Sequence, residues 1–317
     1  MKHCGRINRR PLQMYATEPQ MLAAAQGLLR SAPRPRISRQ PSPRPLRADE
    51  NRLVAEQLSP SSWDEGTIAA FMRDPRTIAH AVDLVGSAGR LLLFYQSADV
   101  QEIAATVDAL FIWLGAPRGF TLLLFWRDDP RRIRADEWPS RRTVNGGWTT
   151  AGSHTIVVYR SEEYDRVVIH ETIHALQWDW KMPSRPLPCW GLSEDAALVP
   201  ALFEAWTELL AEWLWCGWHR VDWDAQLAHM RAQALQILAR PQAVRWREDT
   251  SVFAYYVLKA ALAPHMPFLW VFQNGITPDE RARVLCTLVS PELAALRRDA
   301  ARVVPVAMSL RMTLVKN

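Results

Sequence analysis

HETIH at residues 170–174 places two histidines four positions apart, with a glutamate directly after the first. On an α-helix, residues i and i+4 lie roughly 40° apart around the axis, so both imidazoles can reach one tetrahedral metal ion. Glu171 then lies beside the ion, where it can accept a proton from zinc-bound water, whose pKa falls to about 7. The spacing predicts a hydrolytic Zn²⁺ site with His170 and His174 as ligands and Glu171 as general base.

The residues around the motif favour a buried helix. Between Val167 and Leu176, Thr172 is the only polar residue besides the two histidines and the glutamate. Buried polar side chains are costly unless they have a partner, and a metal ion is such a partner. The alternative is an ordinary amphipathic helix whose histidines are satisfied by hydrogen bonds alone.

The predicted helix has recognisable limits and a strand in front of it. Ser161 is a candidate N-cap, and Pro183 lies beyond the far end. Upstream, HTIVVY at residues 154–159 is a β-branched and aromatic run typical of a strand.

Spacing excludes two sources of the third metal ligand. The pattern HExxHxxGxxH requires glycine at 177 and histidine at 180, where this chain has Gln177 and Trp180. A cysteine ligand shortly upstream, as in peptide deformylases, is excluded because no cysteine lies between Cys4 and Cys189.

A glutamate on a following helix remains. Residues 200–216 (PALFEAWTELLAEWLWC) place Glu204 and Glu208 four apart among large apolar residues. Either glutamate is long enough to reach the ion, which would leave the other to orient a ligand histidine. Glu212 continues the same face, so an exposed acidic helix face is the competing interpretation.

A later helix offers a donor for the oxyanion of a hydrolytic intermediate. Tyr255 and Tyr256, in SVFAYYVLKAAL, are the leading candidates. Both are equally typical of core aromatics. His219, His229 and His265 are weaker candidates.

These motifs resemble those of the gluzincin metallopeptidases, through HETIH and EAWTE (residues 204–208). The resemblance implies zinc-dependent hydrolysis of a peptide or protein substrate, in a site between two lobes. It also implies that Glu204 binds the zinc, that Glu208 orients a ligand histidine, and that the strand at residues 154–159 lies at the rim of the cleft, where an extended substrate can pair with its edge. The longer string VYRSEEYDRVVIHETIHAL (residues 158–176), with YYVLK (residues 255–259), is similar to uncharacterised zincin-like proteins of large DNA viruses. That second resemblance implies an enzyme of a virion or host cell.

Composition bounds the rest of the molecule. The chain has 317 residues, 49% of them hydrophobic, which is enough for a large core or two lobes. The longest apolar runs have strand length, so no membrane span is expected. Four scattered cysteines do not make a disulfide framework, which indicates a reducing, intracellular setting.

Positive charge is concentrated in the N-terminal tail. Residues 1–50 hold nine Arg and one Lys against three acids, a net +7, so the remainder carries −2 of the total +5. Residues 31–47 contain five Pro and five Arg and no acid, a composition that cannot form a packed core. We expect residues 1–50 to be disordered. Contact with nucleic acid or a capsid component, a ligand for proline-binding modules, an organelle-targeting leader and a plain extension all remain open.

The order of elements predicts an α+β fold. Helices are expected near 62–85 and 99–114, with strands near 91–96 and 120–126 and a loop at 127–153 before the cleft strand. This predicts a zincin-like N-lobe at residues 51–182, with a small twisted sheet and helices on one side of it. Residues 183–317 show no convincing strand, so we expect an all-α C-lobe, with helices near 200–216, 224–239, 251–263, 278–288 and 291–303.

Overall fold

A computed structural model describes residues 42–58, 66–179, 202–244, 251–266 and 277–314. Within these ranges the chain forms a five-stranded mixed sheet, a two-stranded sheet and a set of helices. The strands are β1 Ile78–Asp83, β2 Arg90–Tyr95, β3 Thr121–Trp126, β4 Arg132–Ile133, β5 Gly147–Thr149, β6 Thr155–Val158 and β7 Met308–Ser309.

The helices frame the sheet and then form the second half of the fold. They are α1 Ala48–Leu58, α2 Thr67–Arg73, α3 Val100–Trp113, α4 Arg141–Val144, α5 Tyr164–Ala175, α6 Leu202–His219, α7 Trp223–Leu238, α8 Lys259–Leu262 and α9 Pro278–Ala300. A π-helical segment, Phe253–Leu258, runs directly into α8.

The large sheet has the order β1-β2-β3-β6-β5. Its central strands β2, β3 and β6 are parallel, and the outer strands β1 and β5 are antiparallel to their neighbours. Parallel strands need a crossover connection, which α3 supplies between β2 and β3. Asp99 caps α3 by accepting hydrogen bonds from the backbone N–H groups of Gln101 and Glu102, each 3.0 Å long.

Both faces of the sheet are buried. Leu91 and Leu93 belong to the larger core with residues of α3 and α5, whereas Leu92 and Phe94 belong to a second cluster with Val54 of α1 and others. This alternation follows from the two-residue repeat of a strand. Near-continuous apolar runs such as RLLLFY and TLLLFW are typical of strands covered on both faces.

Several predicted elements lie within a few residues of the observed ones, and others were wrong. The helix expected near 62–85 is only α2, because residues 78–83 form the antiparallel strand β1. Helices were expected on one side of the sheet, yet α1 and α2 cover the other. The mixed α/β character of the fold is confirmed.

The second half of the chain differs from its prediction at two places. The helices expected at 278–288 and 291–303 are one continuous helix, α9, with Pro291 inside it. Pro291 is exposed, so water can reach the carbonyl that loses its helical partner. Residues 308–309 form strand β7, which pairs with β4, although no strand was expected after Pro183.

The predicted boundary at residue 50 lies inside α1. Arg44 forms a bridge with Ala81 of β1, and Glu50 is 1% exposed, with its carboxylate paired to Arg44 and Arg90. Residues 42–50 therefore belong to the folded part and are not disordered as predicted. Residues 1–41, with most of the basic tail, lie outside the described residues.

One core joins the two predicted lobes. The larger hydrophobic cluster contains residues of the sheet and also of α6, α7, the π-helical segment and α9. The chain end returns to the first half, since Leu310 donates a 2.7 Å backbone hydrogen bond to Arg131. The border predicted at residue 182 lies outside the described residues.

Two further sequence predictions concern cysteines and membranes. Cys286 is disulfide-bonded, whereas Cys216 is a free, buried thiol. The scattered cysteines were not expected to form a disulfide framework, and the disulfide bond of Cys286 was not predicted. Among the described residues, no helix combines the length and apolar character required to cross a bilayer.

Candidate metal centre

Three predicted ligands meet between α5 and α6. Nε2 of His170 lies 3.0 Å from Nε2 of His174. Oε2 of Glu204 lies 3.8 Å from the first of these nitrogens and 3.5 Å from the second. Among the described residues, these three side chains form the group of His, Cys, Asp or Glu whose possible ligand atoms lie close enough together to hold a metal ion.

The three separations fit a tetrahedral ion. Zinc binds His nitrogen at 2.0–2.1 Å and carboxylate oxygen at a similar distance, so two ligand atoms of a tetrahedral site lie roughly 3.3 Å apart. The observed 3.0, 3.5 and 3.8 Å bracket that value. Oε2 of Glu204 is buried without a hydrogen-bond partner, which is costly for a carboxylate unless a cation completes the site.

The position of helix α5, which carries the candidate ligands His170 and His174, is set by its N-terminus and by its buried apolar residues. Its N-cap is Glu163, in the left-handed conformation at φ 58°, and not Ser161 as predicted. The Ser161 hydroxyl instead donates to the carbonyl of Arg127 at 2.8 Å. The apolar residues Val167, Val168, Ile169 and Ile173 are all buried, so the helix cannot rotate without exposing them.

Each imidazole contacts a carboxylate on the side away from the cluster. Nδ1 of His170 lies 3.0 Å from Oε1 of Glu208, although the two groups are not aligned as a hydrogen bond. Nδ1 of His174 hydrogen-bonds to Asp179, which also accepts a 2.9 Å hydrogen bond from Thr207. Such outer contacts orient ligand histidines. Glu208 was predicted for this role.

Sequence reasoning missed Asp179. Its position, five residues after His174, matches no ligand spacing that was considered, and the turn after α5 that brings it back is not a local pattern. Gln177 takes a positive φ of 55° in this turn. Its only sequence signal is an acidic residue just past the end of a histidine-bearing helix.

The two histidines differ in proton affinity. Burial, reinforced by the nearby His174 and Arg166, lowers the pKa of His170 well below its usual value. Burial also opposes protonation of His174, but the nearby carboxylates of Asp179 and Glu204 outweigh it and raise the pKa of His174 to about 11. With their Nε2 atoms 3.0 Å apart, two positively charged imidazoles repel each other strongly. The opposite pKa shifts place the proton on His174 and leave His170 neutral.

Glu171 lies under the edge strand β5. A Cβ atom added to Gly147 would lie 3.3 Å from Cγ of Glu171 and 2.5 Å from the carbonyl oxygen of Val157. The glycine is therefore required for β5 to approach α5. Burial raises the pKa of Glu171 to about 8, with smaller contributions from neighbouring charges, of which His174 acts in the opposite direction.

The two candidate tyrosines lie in different surroundings. The ring of Tyr255 faces that of His170, with centroids 6.3 Å apart, and Tyr255 lines a small pocket with His170 and Glu171. The hydroxyl of Tyr256 donates a 2.9 Å hydrogen bond to the carbonyl of Leu310 and is fully buried. Tyr255 therefore lies beside the candidate metal ligands, whereas the hydroxyl of Tyr256 is hydrogen-bonded to the C-terminal segment at Leu310.

The remaining acidic and histidine candidates have other partners. Glu212 is 0% exposed and 2.8 Å from Nζ of Lys259, so α6 does not present an exposed acidic face. His219 pairs with Asp165, and His229 hydrogen-bonds to the carbonyl of Arg311. His265 lies in the 3₁₀ turn Ala263–His265.

The strand predicted to form the edge of the sheet, at residues 154–159, is not the edge strand in the structure. The predicted rim strand, β6, lies inside the sheet between β3 and β5. The edge is β5, which falls within the stretch 127–153 that was predicted to be a loop. Gly146, Gly147 and two residues of α5, His170 and Glu171, line the same pocket.

Comparison with known proteins gives no relative. No protein-family model, curated protein or solved structure matches this chain.

Proposed function

We propose that this protein is a zinc-dependent metallopeptidase with a zincin-like arrangement of gluzincin type. The observation that carries the proposal is the spacing of His170 Nε2, His174 Nε2 and Glu204 Oε2, at 3.0 to 3.8 Å from one another. These three residues would hold the ion. When bound, Zn²⁺ lowers the pKa of a water molecule to about 7 and polarises a substrate carbonyl.

Glu171 is the general base in this proposal. It follows the first ligand histidine directly, is 5% exposed and lines the same pocket as His170. It takes a proton from the attacking water and returns it to the leaving amine. A structural zinc site has no use for such a residue, because its four protein ligands leave no open position. In the described part of the chain, the cluster has three ligands.

Tyr255 supplies the second polar contact to the reacting carbonyl. Burial, with the charges of Glu204 and Glu171, raises the pKa of Tyr255 well above its usual value, against a smaller and opposite effect of a hydrogen bond with Ser251. The hydroxyl therefore keeps its proton and can donate it in a hydrogen bond to an oxyanion. Tyr256 has no such role in the proposal, because its hydroxyl is occupied by Leu310.

The edge strand β5 gives a peptide a place to bind. It is the last strand of the sheet and pairs with β6, and its first residue, Gly147, lines the pocket that contains Glu171. An extended peptide can add to such an edge through backbone hydrogen bonds. This arrangement favours a peptide over a compact small molecule as substrate.

Metal content tests the site. We expect about one zinc per chain by elemental mass spectrometry in the wild type, and loss of zinc in His174→Ala and Glu204→Ala. His219→Ala is the matched control, because His219 also pairs with a carboxylate, Asp165, outside the cluster. Wild-type protein that stays free of zinc after reconstitution would refute the site.

Turnover tests the chemistry. Zinc-loaded wild type should cleave members of a mixed peptide library, and Glu171→Gln should bind zinc normally while losing activity by several orders of magnitude. Zinc binding with no cleavage by the wild type would favour the alternative, a catalytically inactive zincin-fold protein whose basic tail contacts nucleic acid. Full activity in Glu171→Gln would overturn the mechanism.

A further inference from the structure

A small pocket beside the candidate metal centre has a buried arginine, Arg131, in its lining. The other polar and aromatic lining residues include His170, Glu171, Tyr255, Asn145, Arg166 and Glu208. Arg131 lies immediately before β4 and is 1% exposed. A buried guanidinium at a pocket wall is unusual, since such groups are costly to desolvate unless they are fully paired.

Arg131 is only partly paired within the described residues. Its Nη1 lies 3.0 Å from Oε2 of Glu163, but its Nε is buried without a hydrogen-bond partner. Glu163 also accepts hydrogen bonds from the backbone N–H groups of Met312 and Thr313, at 3.1 and 2.7 Å, and from the Thr313 hydroxyl. Glu163 is thus shared among several donors, whereas Arg131 retains capacity to bind an acceptor.

The guanidinium of Arg131 and the side chain of Glu171 lie beside two consecutive glycines, Gly146 and the first residue of β5, Gly147. A Cβ on Gly146 would lie 2.2 Å from Nη2 of Arg131, and a Cβ on Gly147 would lie 3.3 Å from Cγ of Glu171. Consecutive Cα atoms are about 3.8 Å apart. A substrate residue adjacent to the bond under attack therefore has Arg131 within reach.

We propose that this pocket binds a carboxylate group of the peptide substrate through Arg131, and this inference rests on the proposed metallopeptidase function. Arginine is suited to the task because its planar donors match a carboxylate. The carboxylate is either the C-terminus of the substrate or an acidic side chain next to the cleaved bond. Arg131 is a specificity-determining residue in this account.

A binding experiment separates this proposal from catalysis. Succinic acid monohydroxamate carries a zinc-chelating group and a carboxylate, and its methyl ester lacks only the charge. Titrated by calorimetry into zinc-loaded wild type, the free acid should bind about tenfold to a hundredfold more tightly than the ester, as expected for a charge-assisted hydrogen bond. Equal affinity of the two compounds would overturn the carboxylate proposal while leaving the metal site intact.

Two variants test whether Arg131 causes the preference for the free acid over the methyl ester. Arg131→Lys keeps the charge opposite Glu163 but loses the planar donor pair, and should reduce the preference for the free acid to a few-fold at most. Arg132→Lys, at the exposed next position, should retain the full preference. An unchanged preference in Arg131→Lys would exclude Arg131 as its source. If Arg131→Lys does not fold, the wild-type comparison of acid and ester still decides.

Peptide cleavage distinguishes the two sources of carboxylate. Loss of cleavage on amidation of the peptide C-terminus would identify a carboxypeptidase, and loss on replacing Asp or Glu by Asn or Gln would identify an acidic side chain. Cleavage that is indifferent to both changes would overturn the proposal. If neither hydroxamate binds the zinc-loaded protein, the proposed function itself fails, and the carboxylate site with it.

Discussion

Oε1 of Glu208 lies 3.0 Å from Nδ1 of His170, on the opposite side of the imidazole from the nitrogen that faces His174 and Glu204. The carboxylate reaches this position because α6 packs against α5 with Glu204 and Glu208 one turn apart. One face of α6 therefore carries both Glu204, a candidate metal ligand, and Glu208, which contacts the candidate ligand His170 from the other side. Glu208 is itself held by Arg166.

Glu208→Gln should weaken zinc binding by about tenfold to a hundredfold, because the oriented charge behind His170 is lost. Competition with a chromophoric chelator measures the affinity. Glu212→Gln is the matched control: Glu212 also contacts Arg166 and Lys259, at 3.4 and 2.8 Å, but no histidine contact joins it to the cluster. Equal zinc affinities in the two variants would show that Glu208 does not act through His170.

Asp179→Asn should weaken zinc binding by a similar factor, since Asp179 fixes the ring of His174 from behind. Thr207 keeps a hydrogen-bond acceptor in this variant, so the fold should be retained. Asp165→Asn breaks a similar contact, with His219, away from the cluster and should leave zinc affinity unchanged. A normal affinity for Asp179→Asn would show that His174 needs no outer partner.

The convergence of His170, His174 and Glu204 was predictable because the pattern that indicates it is local. His170, Glu171 and His174 lie within one helical turn, and Glu204 and Glu208 share the next suitable helix face. The contact between Asp179 and His174 depends on a turn with positive φ at Gln177, which ordinary propensities disfavour. Tertiary structure overrides the local signal there.

The strands that the sequence did not predict also depend on tertiary contacts and not on local pattern. Residues 78–83 (IAHAVD) contain two alanines and no strong β-pattern, and they form β1 through pairing with β2, an apolar neighbour whose pattern is clear. The pairing of β4 with β7 joins residues 132–133 to 308–309, and no window of sequence contains both. Short strands created by distant partners are not visible in a local pattern.

Protonation of Glu50 should destabilise the fold at low pH. Hydrogen bonds from Arg44 hold the pKa of Glu50 at about 2, against an ordinary value of 4.5. Since the folded-state pKa is depressed, this stabilisation is present above pH 4.5 and is lost as the pH falls from 4.5 toward 2. Urea unfolding with a chelator present should show wild type more stable than Glu50→Gln by about 1–3 kcal/mol at pH 7.

The difference between wild type and Glu50→Gln should shrink as the pH approaches 3. Asp49→Asn, at the exposed neighbouring position, should leave stability unchanged at both pH values. A Glu50→Gln variant as stable as wild type at pH 7 would mean that residues 42–50 are not docked on β1.

Gln226→Met should destabilise the fold by about 2–4 kcal/mol, because one side chain satisfies three buried groups. Its Nε2 donates to Glu212 and to the carbonyl of Met312, at 2.8 and 2.7 Å, and its Oε1 accepts from the N–H of Leu314 at 2.9 Å. Methionine has a similar volume but removes the hydrogen-bond partner of Glu212 Oε2, of the Met312 carbonyl and of the Leu314 N–H group. Thermal and urea unfolding measure the change.

Gln236→Met on the same helix is the control for this effect. Its Oε1 accepts one 3.0 Å hydrogen bond from Val306 at an exposed position, so its loss should cost well under 1 kcal/mol. Because Met312 lines the pocket beside His170, Gln226→Met should also lower peptide cleavage by zinc-loaded protein. A stable Gln226→Met variant with full activity would show that the chain end is held by other contacts and does not shape the pocket.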